Sequence, residues 1–597
     1  MPFGTARQRV ATSIERLLAH RKLPVALATL APLLLLPALN LGWQLDDYFH
    51  RSRILGYGDA NPIQIFVPYD GNPTHNLRQM EAGTLPWWAS SDLHLAFLRY
   101  ASTLSMLLDY QLWPNHPVWM HLHSLLWLSA LVVAATLLYR RILGATWAAG
   151  LAALLYAVDG AHAIPAAYLA NRNALIATCL GFLSIVSFIR WRQKGHRGGG
   201  VLSALLLALA LSAGEMALAT AGYLLVYALV LDRGTVQKRV AGLLPHAVVL
   251  GAWAVIYRVG GFGAHGSGFY LDPLGDPLRF ASSFLKRAPL LLMGQWTPIP
   301  AELGLVFPPG THAALELRVF SLAVVAVLAA LLVPLMVRDR VARFWGLGVL
   351  LSLVPIAAVA PENRLLSFVG LGSMGLLAQL VQAVFSAQSA APIVRGWRVL
   401  AGVAAIVLLP LHLVASPALG LVAVRYQAKA SAAMLRAIAS VPSDAKIAMQ
   451  DLVLVNPPDY VYVVTAIPVV KELDHEPVPR RIRALSSGSA LEVTRVGPNS
   501  LQVRFREGLF PTAFSRYVRS RNDRFHIGQR FEVSGLSVKV ERLNAHGDPD
   551  QVLYDFAVPL EDPSLRWMQW KGGIYVPWVP PALGESEQLP PARGIFG

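Results

Sequence analysis

Long apolar runs separated by short polar stretches fill the first two-thirds of the chain. Runs long enough to cross a bilayer, or nearly so, lie at 24–42, 118–139, 145–158, 174–189, 201–213, 217–231, 240–257, 317–337, 344–359, 365–385 and 397–414. They predict a polytopic α-helical membrane protein with about eleven transmembrane helices. Several runs are shorter than the roughly 20 residues a straight span needs. Those must be extended by neighbouring polar turns, or the bilayer must thin around them. After about residue 425 the pattern changes. Alternating stretches at 460–465, 490–495, 501–506, 532–542 and 552–558, with turns such as GPNS and NAHGD, predict a soluble, mostly β domain over 425–584. A small sandwich or a barrel fits equally. The polar, Pro-rich end, 585–597, is expected to be disordered.

Composition agrees with the pattern. The 597 residues are only 14% charged and have a mean hydropathy of +0.47, as in integral membrane proteins. The net charge of +16 does not point to nucleic acid, because Lys and Arg fall in short clusters between apolar runs. These are Arg21–Lys22, Arg140–Arg141, Arg190/Arg192/Lys194/Arg197, Arg233/Lys238/Arg239, Arg338/Arg340/Arg343 and Arg395/Arg398. They occupy alternate loops, so the positive-inside rule makes them cytoplasmic together with the N-terminus, 1–22. The first apolar run ends PALNLGW without a small-x-small cleavage site, so it reads as an uncleaved helix opening a transmembrane domain over 23–424. The intervening loops, and the domain after 425, then face outward, which places the chain in a bacterial inner membrane. The one cysteine, Cys179, permits no intrachain disulfide.

Two outer loops, 43–117 and 258–316, are long enough to need structure of their own. In the first, Leu98, Ala101, Leu104, Leu108 and Leu112 recur at helical spacing, with Arg99, Ser102 and Asp109 on another face. That pattern predicts a helix lying in the membrane interface. A second such helix is predicted at 277–295.

The outer side also collects unusual polar residues. Asp46 and Asp47 follow the first helix in LGWQLDDYF. Asp159, His162, Asn171 and Arg172 lie in VDGAHAIPAAYLANRN, Glu215 in SAGEM, and Glu362 and Arg364 in PENR. Each has a plain alternative. The acidic pair would serve as a helix cap, the arginines as snorkelling groups, Glu215 as a solvated turn residue and His162 as a satisfied interfacial histidine. Their gathering on one face, beside helices too short to span comfortably, points to a site. The chemistry that suits them is group transfer from a lipid-linked phosphate. Arginine binds phosphate bidentately and stabilises it as it leaves. A carboxylate orients an acceptor hydroxyl and takes its proton. Adjacent side chains diverge, so one of Asp46 and Asp47 would face the acceptor.

Several segments resemble, in order, the GT-C class of polyprenyl-phosphate-sugar-dependent glycosyltransferases, nearest the protein O-mannosyltransferases and their transmembrane, TPR-bearing relatives. They are DDYFHRSRI, LRYASTLSMLLDYQLW, HLHSLLWLSALVVAATLLYRRILG, YLANRNALIA, SAGEMALATAGYLLVYALVLD and PENRLLSFVGLGSMGLLA, within 23–385. The resemblance implies an inverting glycosyltransferase with Asp46 or Asp47, Asp46 foremost, as the acceptor-activating carboxylate. It also implies Arg99 and Arg364 near the donor phosphate; Arg172 is a further candidate there. Asp159, His162, Glu215 and Glu362 remain site candidates. Two departures stand out. AGE replaces an SKE-like turn, and no 34-residue helical repeat follows the membrane domain.

The acceptor would be a hydroxyl of a protein, lipid or glycan. The alternatives are a lipid-linked oligosaccharide ligase, a lipid-carrier flippase or transporter, and a degenerate anchor for the β domain. A transporter would carry internal repeats and midplane charges, and neither is evident. No spacing demands a metal, although the carboxylates could take a divalent cation.

Overall fold

The computed structural model describes residues 12–57, 61–195, 198–307, 311–385, 395–458, 460–512 and 514–592. Arg197, one of the basic residues on which the orientation argument rests, lies outside them. Each of the eleven apolar runs contains helix, but their lengths differ from expectation. Among the described residues, six helices are long and apolar enough to cross a membrane, or up to eight if each bent pair counts as one span. The chain is therefore a multi-pass membrane protein. Other runs form shorter or bent helices. Trp147–Ala157 stops at Val158 and continues, bent by 43°, as Gly160–Ala167. Gly199–Ala213 has 15 residues, and Arg340–Ile356 has 17. The first run gives Leu23–Leu34 and a 3-10 turn, Leu36–Asn40, after Pro32 and Leu35 loosen the helix.

Polar caps set the helix starts. Thr146, Thr235 and Thr311 each accept the N–H three residues on, and Asp339 accepts those of Val341 and Ala342. Ser367–Phe385 is the bundle's hub and is buried along almost its whole length. Tyr139, Tyr156 and Tyr223 donate their hydroxyls to its Leu371, Ser367 and Phe368 carbonyls. This gives three buried hydroxyls acceptors where no water reaches. Val236–Val259, His312–Arg338 and the long helix from Arg395 instead leave most of their apolar side chains outward, as lipid contact requires.

At one end of the bundle the loops and the C-terminal part form a single packed cap. Its small sheet joins β1 (Tyr69–Asp70), β2 (His94–Ala96) and β3 (Gly263–His265), the last from the second long loop. The C-terminal part begins without a linker, since helix runs from Arg395 through to Ala439. The composition change at 425 falls inside this helix.

Two sheets follow. The strands are β4 (Asp451–Leu454), β5 (Arg481–Ala484), β6 (Leu491–Gly497), β7 (Ser500–Phe505), β8 (Arg530–Val533), β9 (Leu536–Leu543), β10 (Pro549–Phe556), β11 (Leu565–Lys571), β12 (Ile574–Pro577) and β13 (Ser586–Leu589). Six antiparallel strands run in the order β13-β6-β7-β10-β9-β8. The other sheet is β12-β11-β4-β5, in which β11, β4 and β5 are parallel. Two expectations are corrected. Residues 460–465 are helical: Tyr460–Val464 leads into Ala466–Leu473, whose one apolar face is buried. The tail carries a strand, because β13 pairs with β6 from Leu589↔Leu491 to Ser586↔Thr494.

The cap has one core. Leu45, Leu85, Trp87, Trp88 and Leu95 of the first loop pack with Leu452, Tyr460, Ile467, Val503 and Tyr554. Gly83 marks the tightest approach. It ends the helix Pro73–Ala82 at φ +81°, and a Cβ there would overlap the Ile482 carbonyl. Its own carbonyl accepts the Tyr460 hydroxyl at 2.5 Å.

Candidate active site

The acidic pair opens the helix Asp46–Ile54, but neither aspartate is its cap. The preceding residue is Leu45, held at φ +41°, a strained conformation for a branched side chain. Asp47 explains how it is held. Its Oδ2 accepts the Gln44 N–H at 2.9 Å and its Oδ1 the Ala170 N–H at 2.7 Å. The side chain is buried, and burial pushes its pKa up to about 8 against those two donors. Asp47 is thus a clamp between the first loop and the 159–173 segment, with both oxygens engaged inside the protein.

Asp46 points elsewhere. Its N–H donates to the Tyr168 hydroxyl at 2.9 Å. Burial raises the Asp46 carboxyl above the usual range, while Tyr168 and the charge of Arg364 pull it down and Glu362 pushes it up. A carboxylate so placed is a stronger base than an exposed one.

Arg364 sits on the turn Asn363–Leu365. It grips Glu362 with Nε–Oε2 at 2.5 Å and Nη2–Oε1 at 2.9 Å. Burial opposes its charge, and Glu362 more than offsets that, so the guanidinium stays well above its ordinary pKa. Its Nη1 edge makes no hydrogen bond among the described residues. Behind the pair lies Glu302, which the sequence did not single out. Its Oε1 accepts the Asn363 N–H at 2.7 Å, and its Oε2 has no partner among the described residues. Burial, then the nearby Glu362, lifts it to about 7.

Arg99 and Glu215 form a second pair. The Arg99 Nε donates to Glu215 Oε2 at 3.0 Å, and the Leu98 N–H to Oε1 at 3.1 Å. The AGE turn thus fixes the start of Tyr100–Leu112 without a basic residue of its own. That helix has one apolar face exposed and a polar face buried. Leu104, Leu108 and Leu112 are exposed, and Ser102 and Asp109 are buried. A row of rings leads from this pair toward Arg364. The Arg99 guanidinium lies 4.5 Å from the Phe97 ring centre, and Phe97 packs on Tyr270, Tyr270 on Tyr517, Tyr517 on Phe514 and Phe514 on Tyr462. Burial raises Tyr270 to about 12, against the pull of Arg364 and Arg99. Burial also raises Tyr462, and the charges of Asp46 and Arg364 act on it. The site is therefore built from the first loop, the PENR turn and the C-terminal part together.

Three candidates are engaged elsewhere. Arg172 is bonded within the protein. Its Nη1 bonds Asp109 Oδ2 at 2.5 Å, its Nε the Ser124 hydroxyl and its Nη2 the Met120 carbonyl. It is sequestered in the protein and has no edge for a phosphate, because Asp109 on the interfacial helix needs a buried cation. Asp159 caps Ala161 and accepts from Gln295 Nε2 at 2.9 Å. His162 Nε2 donates to the Tyr156 carbonyl. Asn171 ends a separate buried turn, Leu169–Asn171. Among the described residues no group of three or more His, Cys, Asp or Glu side chains is placed to hold a metal ion.

No protein-family model matches the chain, and no curated protein matches it. Solved structures similar to it include three. One is ArnT from Cupriavidus metallidurans bound to undecaprenyl phosphate, at 14% identity and TM-score 0.36, over 77% of this chain and 89% of that one. Another is the Archaeoglobus fulgidus oligosaccharyltransferase in the apo form, at 12% identity and TM-score 0.39, over 78% of this chain and 64% of that one. The third is AglB from the same organism in complex with an inhibitory peptide and a dolichol-phosphate, at 12% identity and TM-score 0.36, over 74% and 63%. The chain thus spans less than two-thirds of the archaeal proteins' length.

Proposed function

We propose that the chain is an inverting glycosyltransferase that takes a sugar from a polyprenyl-phosphate donor and passes it to an acceptor hydroxyl at the capped end of the bundle. The observation that carries this reading is Asp46 within the field of Arg364, whose Nη1 edge makes no hydrogen bond among the described residues. The donor class rests on the sequence resemblance. Asp46 takes the acceptor proton as the hydroxyl oxygen forms a bond to the anomeric carbon. The bond from that carbon to the phosphate oxygen breaks on the opposite face, which inverts the centre. The leaving phosphate keeps the electron pair, and Arg364 stabilises its added charge. Glu362 holds Arg364 in place throughout. Arg99, set by Glu215, is a second cation for the donor's headgroup. We place the capped end on the outer side of the membrane, since the basic clusters fall at the other ends of the helices.

The test is transfer in detergent from a polyprenyl-phosphate sugar to an envelope extract, with donor binding measured separately. Asp46→Asn should abolish transfer and keep donor binding. Normal turnover by Asp46→Asn would sink the mechanism.

A further inference from the structure

A second concave surface lies on the C-terminal part. A cleft of about 410 Å³ opens between the segment carrying Arg516, Arg521, Arg524 and Phe525 and the β9–β10 turn with His546 and Asp548. Its charge does not cancel. Arg516 pairs with Asp548, and Arg519 beside it pairs with Asp523. Arg521 and Arg524 are exposed and have no ion-pair partner among the described residues. Two positive charges therefore remain at the mouth of one cleft.

The walls are built rather than incidental. Arg519 lies 3.9 Å from the centre of the Phe525 ring, and Asp523 also takes the Ser90 hydroxyl at 2.8 Å. The segment is pinned to the second loop by Gly268 N–H to Arg516 O at 2.9 Å, Ser267 Oγ to Tyr517 O at 2.6 Å and Ser520 N–H to Gly266 O at 2.7 Å. It thus presents Arg521 and Arg524 from a fixed base. The same segment carries Tyr517 into the ring row beside the candidate active site. Cleft and site share one stretch of chain.

We propose that this cleft binds a carboxylate- or phosphate-bearing saccharide, and, resting on the glycosyltransferase reading, that the acceptor carries such a group. The volume falls within the roughly 300–1,000 Å³ of small-molecule sites and exceeds what a lone ion needs. Unpaired guanidiniums recognise carboxylate or phosphate oxygens in the plane of their fork. Exposed His546 on the opposite wall supplies a further polar partner for sugar hydroxyls. The surface is concave and polar, whereas a membrane-binding face is open and apolar.

The test is calorimetric titration of the full chain in detergent. The probes are a uronate tetrasaccharide, the same tetrasaccharide with its carboxyls reduced to alcohols, and inorganic phosphate. The uronate should bind, more weakly at higher salt. The double variant Arg521→Gln/Arg524→Gln should lose at least tenfold in affinity with an unchanged melting temperature. Asp46→Asn should bind as the wild type does, which separates this cleft from the transfer mechanism. Equal binding of the reduced tetrasaccharide, wild-type affinity in the double variant, or phosphate binding as tightly as the saccharide would each overturn the proposal, as would no uronate binding.

Discussion

The Asp47 carboxylate accepts the Ala170 N–H at 2.7 Å across 123 residues of chain. That bond, with the one from Gln44, separates the two aspartates by task. Asp47→Asn keeps one acceptor and turns an amide N–H₂ toward a backbone N–H. It should lower stability by about 1–3 kcal/mol, the cost of a buried donor left unmet. Asp46→Asn should melt like the wild type. Thermal unfolding of both variants in one detergent checks this; equal melting temperatures would remove the clamp.

Arg172 and Arg364 should fail in different ways. Arg172→Ala leaves the buried Asp109 carboxylate with His123 as its one remaining side-chain partner among the described residues and should cost up to about 3–5 kcal/mol, read as lost folded yield. Arg364→Ala should fold and lose donor affinity by about 1.5–3 kcal/mol, the worth of a charge-assisted contact. Size-exclusion recovery and donor binding distinguish them. A well-folded Arg172→Ala with weakened donor binding would return Arg172 to the site.

Glu302 should give stability a pH slope. Its folded pKa, about 7, is raised above the usual 4.5 by burial. Its contribution is therefore full below about 4.5 and lost as pH rises through about 7. Glu302→Gln is neutral throughout and should flatten the fall in melting temperature between about pH 5 and 8. An unchanged slope would mean another group titrates.

Orientation is testable by fusion. Alkaline phosphatase joined after Lys194 should be inactive, and joined after Ala439 active, because the basic clusters hold the first position in the cytoplasm. Activity at Lys194 would reverse the chain in the membrane.

Much of this architecture was legible because bilayer helices advertise themselves locally. All eleven apolar runs contain helix, and of the stripe Leu98, Ala101, Leu104, Leu108 and Leu112 the last three are exposed while Leu98 is buried ahead of the helix. Span length was not legible. Hydropathy does not show where Val158 breaks a helix or where Pro32 loosens one. YVYVVT has the β-branched composition of a strand, yet it leads into a helix whose burial is set by the first loop. At the site, Asp46 and Arg364 stood out as charges beside apolar runs. Glu302 did not, because its importance comes from Asn363, 61 residues away. The Arg172 contact with Asp109 was not legible either, because Asp109 belongs to another element.

The seam between Gly83 and Ile482 constrains how the chain matures. Arg483 reaches the Glu81 carbonyl across 402 residues, and no nearer segment supplies that contact. At roughly 5–20 residues per second, synthesis takes about 20–80 s to bridge that gap. For that interval the first loop lacks its packing partner, with Trp87 and Trp88 uncovered. Maturation thus has a vulnerable window, in which chaperones and proteases meet the loop before the last sheet arrives to close it.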